Sequence, residues 1–134
     1  MDQLKCRGTL SGKLSFLVVD DEPSVALVCK RLLERAGHQV FSLHDSSEAL
    51  DFFKENHAEI DILLCDMVMP KISGDIFITH VLKINPDLPT ILMSGNTFKL
   101  PESLQAFSSV SLLDKPIEKE MLFNAIQHAL HNTR

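Results

Sequence analysis

"LLCDMVMPKISG", residues 63–74, carries an apolar run straight into an aspartate, Asp66, and then through Pro70 to Gly74. A short apolar run bounded by turn residues reads as a strand covered on both faces. A carboxylate delivered to the end of such a strand is costly unless it is neutralised or paired.

Four further apolar runs lie on either side: "KLSFLVV" (13–19), "HQVFSL" (38–43), "PTILMS" (89–94) and "VSLLD" (110–114), with "IDILLC" (60–65) leading into Asp66. Amphipathic segments separate them. "PSVALVCKRLLERAGH" has Pro23 at its start and Gly37 near its end, the usual asymmetry of a helix. Its Val25, Val28, Leu32 and Leu33 recur at helical spacing and are expected to face inward. "DSSEALDFFKEN" opens on Asp45 or Ser46 as a cap, with Glu48 three residues after Asp45. A third helix is expected over 74–84, a short and weakly patterned fourth near 100–107, and a last one over "IEKEMLFNAIQHALHN". Phe52, Phe53 and Phe77 read as core or half-exposed helix residues, and Met67 and Met69 as packing or loop residues.

Strand–helix alternation repeated in this way predicts a parallel sheet with helices on both faces. In open sheets of this type the site lies at the carboxyl ends of the strands. Those ends carry Asp20, Asp21 and Glu22, then Asp66, then Ser94 and Gly95, and finally Lys115 with Pro116.

The chain has 134 residues, 45% hydrophobic and 23% charged, which suits one ordinary domain. Its net charge of −5 argues against electrostatic binding of nucleic acid. No apolar run reaches the length of a membrane span, and the opening "MDQLKCRGTLSGK" lacks a signal peptide's apolar core. Cys6, Cys29 and Cys65 form no paired motif and read as reduced thiols of a cytoplasmic protein. His128 and His131 read as solvated helix residues. Residues 1–12 show no periodicity and are expected to be a loose arm or linker stub, leaving 13–134 as the domain.

Clustered aspartates repel one another and favour a cation. Oxygen donors without Cys or His select a hard one, Mg²⁺. Asp21 and Asp66 are the natural direct ligands, Asp20 or Glu22 can work through water, and the backbone carbonyl of Val68 can complete the set. Lys115 adds a mobile positive charge suited to phosphoryl oxygens. Asp66 is then the candidate nucleophile, forming an aspartyl phosphate. Ser94 can donate its hydroxyl to a phosphoryl oxygen, with Gly95 leaving room for the approach.

"VVDDEPS", "CDMVMPKISG", "MSGN" and "LDKPI", in this order and at these intervals, resemble the receiver domain of two-component response regulators. The resemblance covers about residues 14–131. It implies a flavodoxin-like, doubly wound three-layer fold with a five-stranded parallel sheet of order 2-1-3-4-5. It implies that Asp66 is the phosphoacceptor, Asp20 and Asp21 the acidic pair with Mg²⁺, Ser94 the hydroxyl switch and Lys115 the phosphate-contacting lysine. The Lys115–Pro116 peptide is expected to be cis. The implied role is a phosphorylation-dependent switch in a phosphorelay. It takes its phosphoryl group from a sensor histidine kinase or phosphotransfer protein and acts on no outside substrate. Its output would leave through a face of the fourth helix, fifth strand and fifth helix, to a protein partner or a second copy, with no nucleic acid or membrane contact.

Two positions depart from the family pattern. Leu112 stands where many receivers carry Tyr or Phe, so coupling through a swinging aromatic ring is not expected. Val68, two residues past Asp66, cannot hydrogen-bond an attacking water, which implies slow to moderate self-dephosphorylation. Val68 also fills the place where a phosphatase of the haloacid dehalogenase type needs a second Asp, which argues against that class. The remaining alternative is a degenerate receiver that binds proteins without being phosphorylated.

Overall fold

A computed structural model describes residues 12–95 and 100–131. The arm expected over 1–12 lies outside them except for Gly12, as do Cys6 and Asn96. Five strands, β1 (Ser15–Val19), β2 (Gln39–Leu43), β3 (Ile62–Asp66), β4 (Thr90–Ser94) and β5 (Val110–Asp114), form one sheet. All pairings are parallel, and the order is β2-β1-β3-β4-β5. The helices are α1 (Pro23–Arg35), α2 (Ser46–Asn56), α3 (Gly74–Ile84) and α4 (Lys119–His131).

Alternate strand residues feed two cores, as the period of an extended chain requires. Leu17, Val19, Leu63, Cys65 and Leu92 pack against α2 and α3. Phe16, Val18, Ile62, Leu64 and Ile91 pack against α1 and α4. Strand β3 is buried along its whole length, and so is β4, as their continuous apolar character implies. Phe53 and Phe77 are fully buried in the first core, with Phe52 packed at its margin.

Helix α2 is capped by Asp45, whose side chain accepts from the amides of Ser47 and Glu48. Helix α1 has Pro23 in its first turn, and Gly37 follows it with φ +96°.

The inward face of α1 matches expectation at Leu33, with Leu32 packed against the same core, and differs at Val28. Ala26, Cys29 and Leu33 are its buried residues, while Val28 is 44% exposed. Both sets repeat at helical spacing. The smaller stripe lets the helix sit close to the sheet.

The helix expected over 100–107 is replaced by a single 3₁₀ turn, Glu102–Leu104. Pro101 starts it, and Leu104 is its one buried residue. So short a turn does not repay the cost of helix nucleation.

His38 ties the start of the domain to the sheet. It is 6% exposed, its Nδ1 accepts from the Leu14 amide at 3.0 Å, and its ring lies 5.3 Å from that of Phe16. Burial lowers its pKa from the ordinary 6.5, against an opposing pull from Asp61. The unfolded chain therefore takes up a proton before the folded one. The stability held by neutral His38 is fully present above 6.5 and is lost as pH falls through the lowered folded value. Urea melts between neutral and mildly acidic pH should show this loss in the wild type and a flatter profile in His38→Gln. Parallel profiles would contradict it.

Candidate phosphoacceptor and cation site

Four loops at the carboxyl edge of the sheet bring the candidate residues together. Asp20 follows β1 and is fully buried, and Asp66 ends β3 at 5% exposed. Asp21 completes a cluster with them: one carboxylate oxygen from each lies within 4.8 Å of the others. Lys115 reaches in from the loop after β5. Its Nζ lies 3.1 Å from Asp66 Oδ1, 3.2 Å from Asp20 Oδ2 and 3.1 Å from Glu22 Oε1. The Lys115–Pro116 peptide is cis, as expected.

Burial raises the Asp66 carboxyl to about 6. Asp20 and Asp21 push it the same way, while the Lys115 contact opposes them. Burial works against the charged form of Lys115, but Asp66, Asp20 and Glu22 together outweigh it and raise its pKa. The ammonium is therefore held charged over a carboxylate that still ionises near neutral pH.

The site meets the demands of a hard cation. The clustered donors are all oxygens. Asp20 Oδ1 is taken by the Glu22 amide at 2.8 Å. Asp20 Oδ2 is buried and accepts no hydrogen bond, although it lies near the lysine. The ammonium is its pairing partner, so a cation would take this oxygen by displacing the lysine. In an octahedral Mg²⁺ shell, oxygens lie about 3–4 Å apart, so small side-chain movements close the set. Asp20, Asp21 and Asp66 are the clustered groups that fit, and the Val68 carbonyl expected to complete the set follows two residues after Asp66.

Ser94 ends β4 at 1% exposed, and its carbonyl accepts from the Lys115 amide at 2.7 Å, tying the fourth and fifth strand ends together. Val68 is 68% exposed at the lip of the site. A Cβ at Gly95 would meet nothing within 4 Å. Gly74 has a sharper role. A Cβ there would lie 2.2 Å from the Asp66 carbonyl oxygen, and its amide donates to Met67 O at 2.8 Å.

Sequence reasoning assigned Glu22 only to the cation; it also pairs with Lys115. It passed over His44, whose Nδ1 lies 3.1 Å from the Asp20 carbonyl oxygen. Nothing in the spacing of residues 20 and 44 announces that contact, because parallel pairing of β1 and β2 creates it.

The Response regulator receiver domain family matches residues 16–127. The chain therefore belongs to this family, the receiver module of two-component signalling. It is 30% identical over 122 residues to the sensor kinase CckA of Brucella abortus, a match covering 90% of this chain and 13% of that protein. It is 31% identical to the two-component response regulator ARR2 of Arabidopsis thaliana, covering 90% of this chain and 18% of the relative. The chain thus spans less than a fifth of either relative. Among solved structures, a response regulator receiver domain from Clostridium thermocellum superposes with a TM-score of 0.77 at 31% identity, covering 88% of this chain and 94% of that one. The receiver domain of the hybrid histidine kinase CckA gives 0.73 at 30% identity, covering 86% and 98%.

Proposed function

We propose that Asp66 accepts a phosphoryl group from a phosphohistidine of a sensor kinase or phosphotransfer protein, with Mg²⁺ in the acidic cluster. The observation that carries this reading is the convergence of Asp20, Asp21 and Asp66 under one ammonium, Lys115. In the transfer, an Asp66 oxygen bonds to phosphorus, the phosphorus–nitrogen bond breaks, and the imidazole leaves with the electron pair. With a pKa near 6 the carboxylate is largely ionised at neutral pH and available to attack. The bound cation would neutralise charge on the transferring oxygens. Lys115 holds a second positive charge beside the same acceptor, and the Ser94 hydroxyl is the group proposed to follow the phosphoryl oxygen.

On this reading the chain is a cytoplasmic signalling switch that catalyses only its own phosphorylation and dephosphorylation. Its output face is the Glu102–Leu104 turn, β5 and α4. The 3₁₀ turn and Leu112 favour comparison with a second reading, a module that binds its partner without phosphorylation. Beryllium fluoride with Mg²⁺ separates the two. The switch predicts amide shift changes at Asp66, Ser94 and Lys115 that spread into β5 and α4. An unchanged spectrum supports the binding module instead.

Val68 bears on lifetime. Giving the attacking water one hydrogen-bond partner through Val68→Asn should speed decay of the aspartyl phosphate roughly two- to tenfold, the worth of a single ordinary hydrogen bond. Slower decay in the variant would refute this role.

A further inference from the structure

The loop that leaves Asp66 makes an unusual turn. The Ile72 amide donates to the Pro70 carbonyl at 2.8 Å across Lys71, whose φ is +71°. That is a γ-turn of the rarer, strained hand, built on a residue with a side chain. Strain of this kind persists only where the surroundings hold it.

Here they do so from α2. Ser46, 2% exposed, donates its Oγ to Pro70 O at 2.8 Å and accepts from the Ile72 amide at 3.1 Å. Its hydroxyl thus bridges both ends of the turn. Beside it, the α2 cap Asp45 pairs with Lys71 Nζ at 2.5 Å. At its other end the loop is fixed by the Met67 amide on Met93 O and the Gly74 amide on Met67 O. Val68 lies between these two sets of anchors, so the direction of its carbonyl depends on both.

We propose that Ser46, assisted by the Asp45–Lys71 pair, is a positioning residue for the cation site: it holds the γ-turn and thereby aims the Val68 carbonyl at the acidic cluster. This rests on the reading of that cluster as a Mg²⁺ site. Removing an outer group that orients a metal ligand typically costs about ten- to a hundredfold in metal affinity.

The test is Mg²⁺ titration of the full chain, followed by amide chemical shifts, in wild type, Ser46→Ala and Ile126→Val. Ile126 is buried in the opposite core, so its variant lowers stability without touching the loop. Ser46→Ala should weaken Mg²⁺ binding about tenfold, and its metal-free form should show faster hydrogen exchange at the Ile72 amide. Ile126→Val should bind Mg²⁺ like the wild type. Unchanged affinity in Ser46→Ala, or an equal loss in Ile126→Val, would overturn the proposal. If Ser46→Ala does not hold the fold, Lys71→Met decides. It removes the exposed ion pair but keeps a side chain on the strained turn, and weaker binding supports the proposal while wild-type binding overturns it. A wild-type chain that does not respond to Mg²⁺ at all overturns the reading of the cluster, and is recognised before any variant is compared.

Discussion

Gly74→Ala should destabilise the domain by about 3 kcal/mol or more, at the upper end of what overpacking costs. The added Cβ would stand 2.2 Å from Asp66 O, 2.7 Å from Met67 Cα and 2.9 Å from the Asp66 carbonyl carbon. All three are backbone atoms, so no side chain can swing aside. Either the first turn of α3 withdraws and loses the Gly74–Met67 hydrogen bond, or Asp66 itself shifts. Urea melts measure the first consequence, and Mg²⁺ affinity reports the second. Gly95→Ala is the control, because a Cβ there meets open space. Similar stabilities for the two variants would show that the close approach at Gly74 does not exist in solution.

Lys115→Ala should separate two properties of the site. In the metal-free chain the ammonium sits 3.1–3.2 Å from oxygens of Asp20 and Asp66, two of the ligands proposed for the cation. It therefore competes with Mg²⁺ by repulsion as well as by occupancy. Charges a few ångströms apart near a protein surface interact by up to a few kcal/mol, so its removal should tighten Mg²⁺ binding about tenfold. The same variant should be phosphorylated at least about tenfold more slowly, since one fixed positive charge at the transferring group is lost. Titration by chemical shift and timed phosphorylation measure the two arms. Weaker Mg²⁺ binding would mean that Lys115 organises the carboxylates instead of competing for them.

The strands were legible because their signal is strong. Runs at 13–19, 38–43, 60–65, 89–94 and 110–114 all became strands, ending within one residue of the predicted positions. Their carboxyl ends carry the acidic cluster and the lysine, so the grouping of Asp20, Asp21, Asp66 and Lys115 followed from topology. What the sequence hid depends on distance across the fold. Ser46 reads as an ordinary helix-start serine; its bridge to Pro70 and Ile72 spans 24 and 26 residues. Gly74 reads as a loop glycine until its backbone is seen against Asp66. On α1, two apolar stripes of equal period compete, and only the space above the sheet selects Ala26 and Cys29 over Val25 and Val28. Residues 100–107 carry too little apolar patterning to nucleate a helix, and a single turn, Glu102–Leu104, forms there.

On the proposed function, Asp66 is the phosphoacceptor. Incubation with acetyl phosphate and Mg²⁺, followed by intact mass, tests it most directly. The wild type should gain the mass of one phosphoryl group, and Asp66→Ala should gain none. Equal labelling of the two proteins would contradict the assignment.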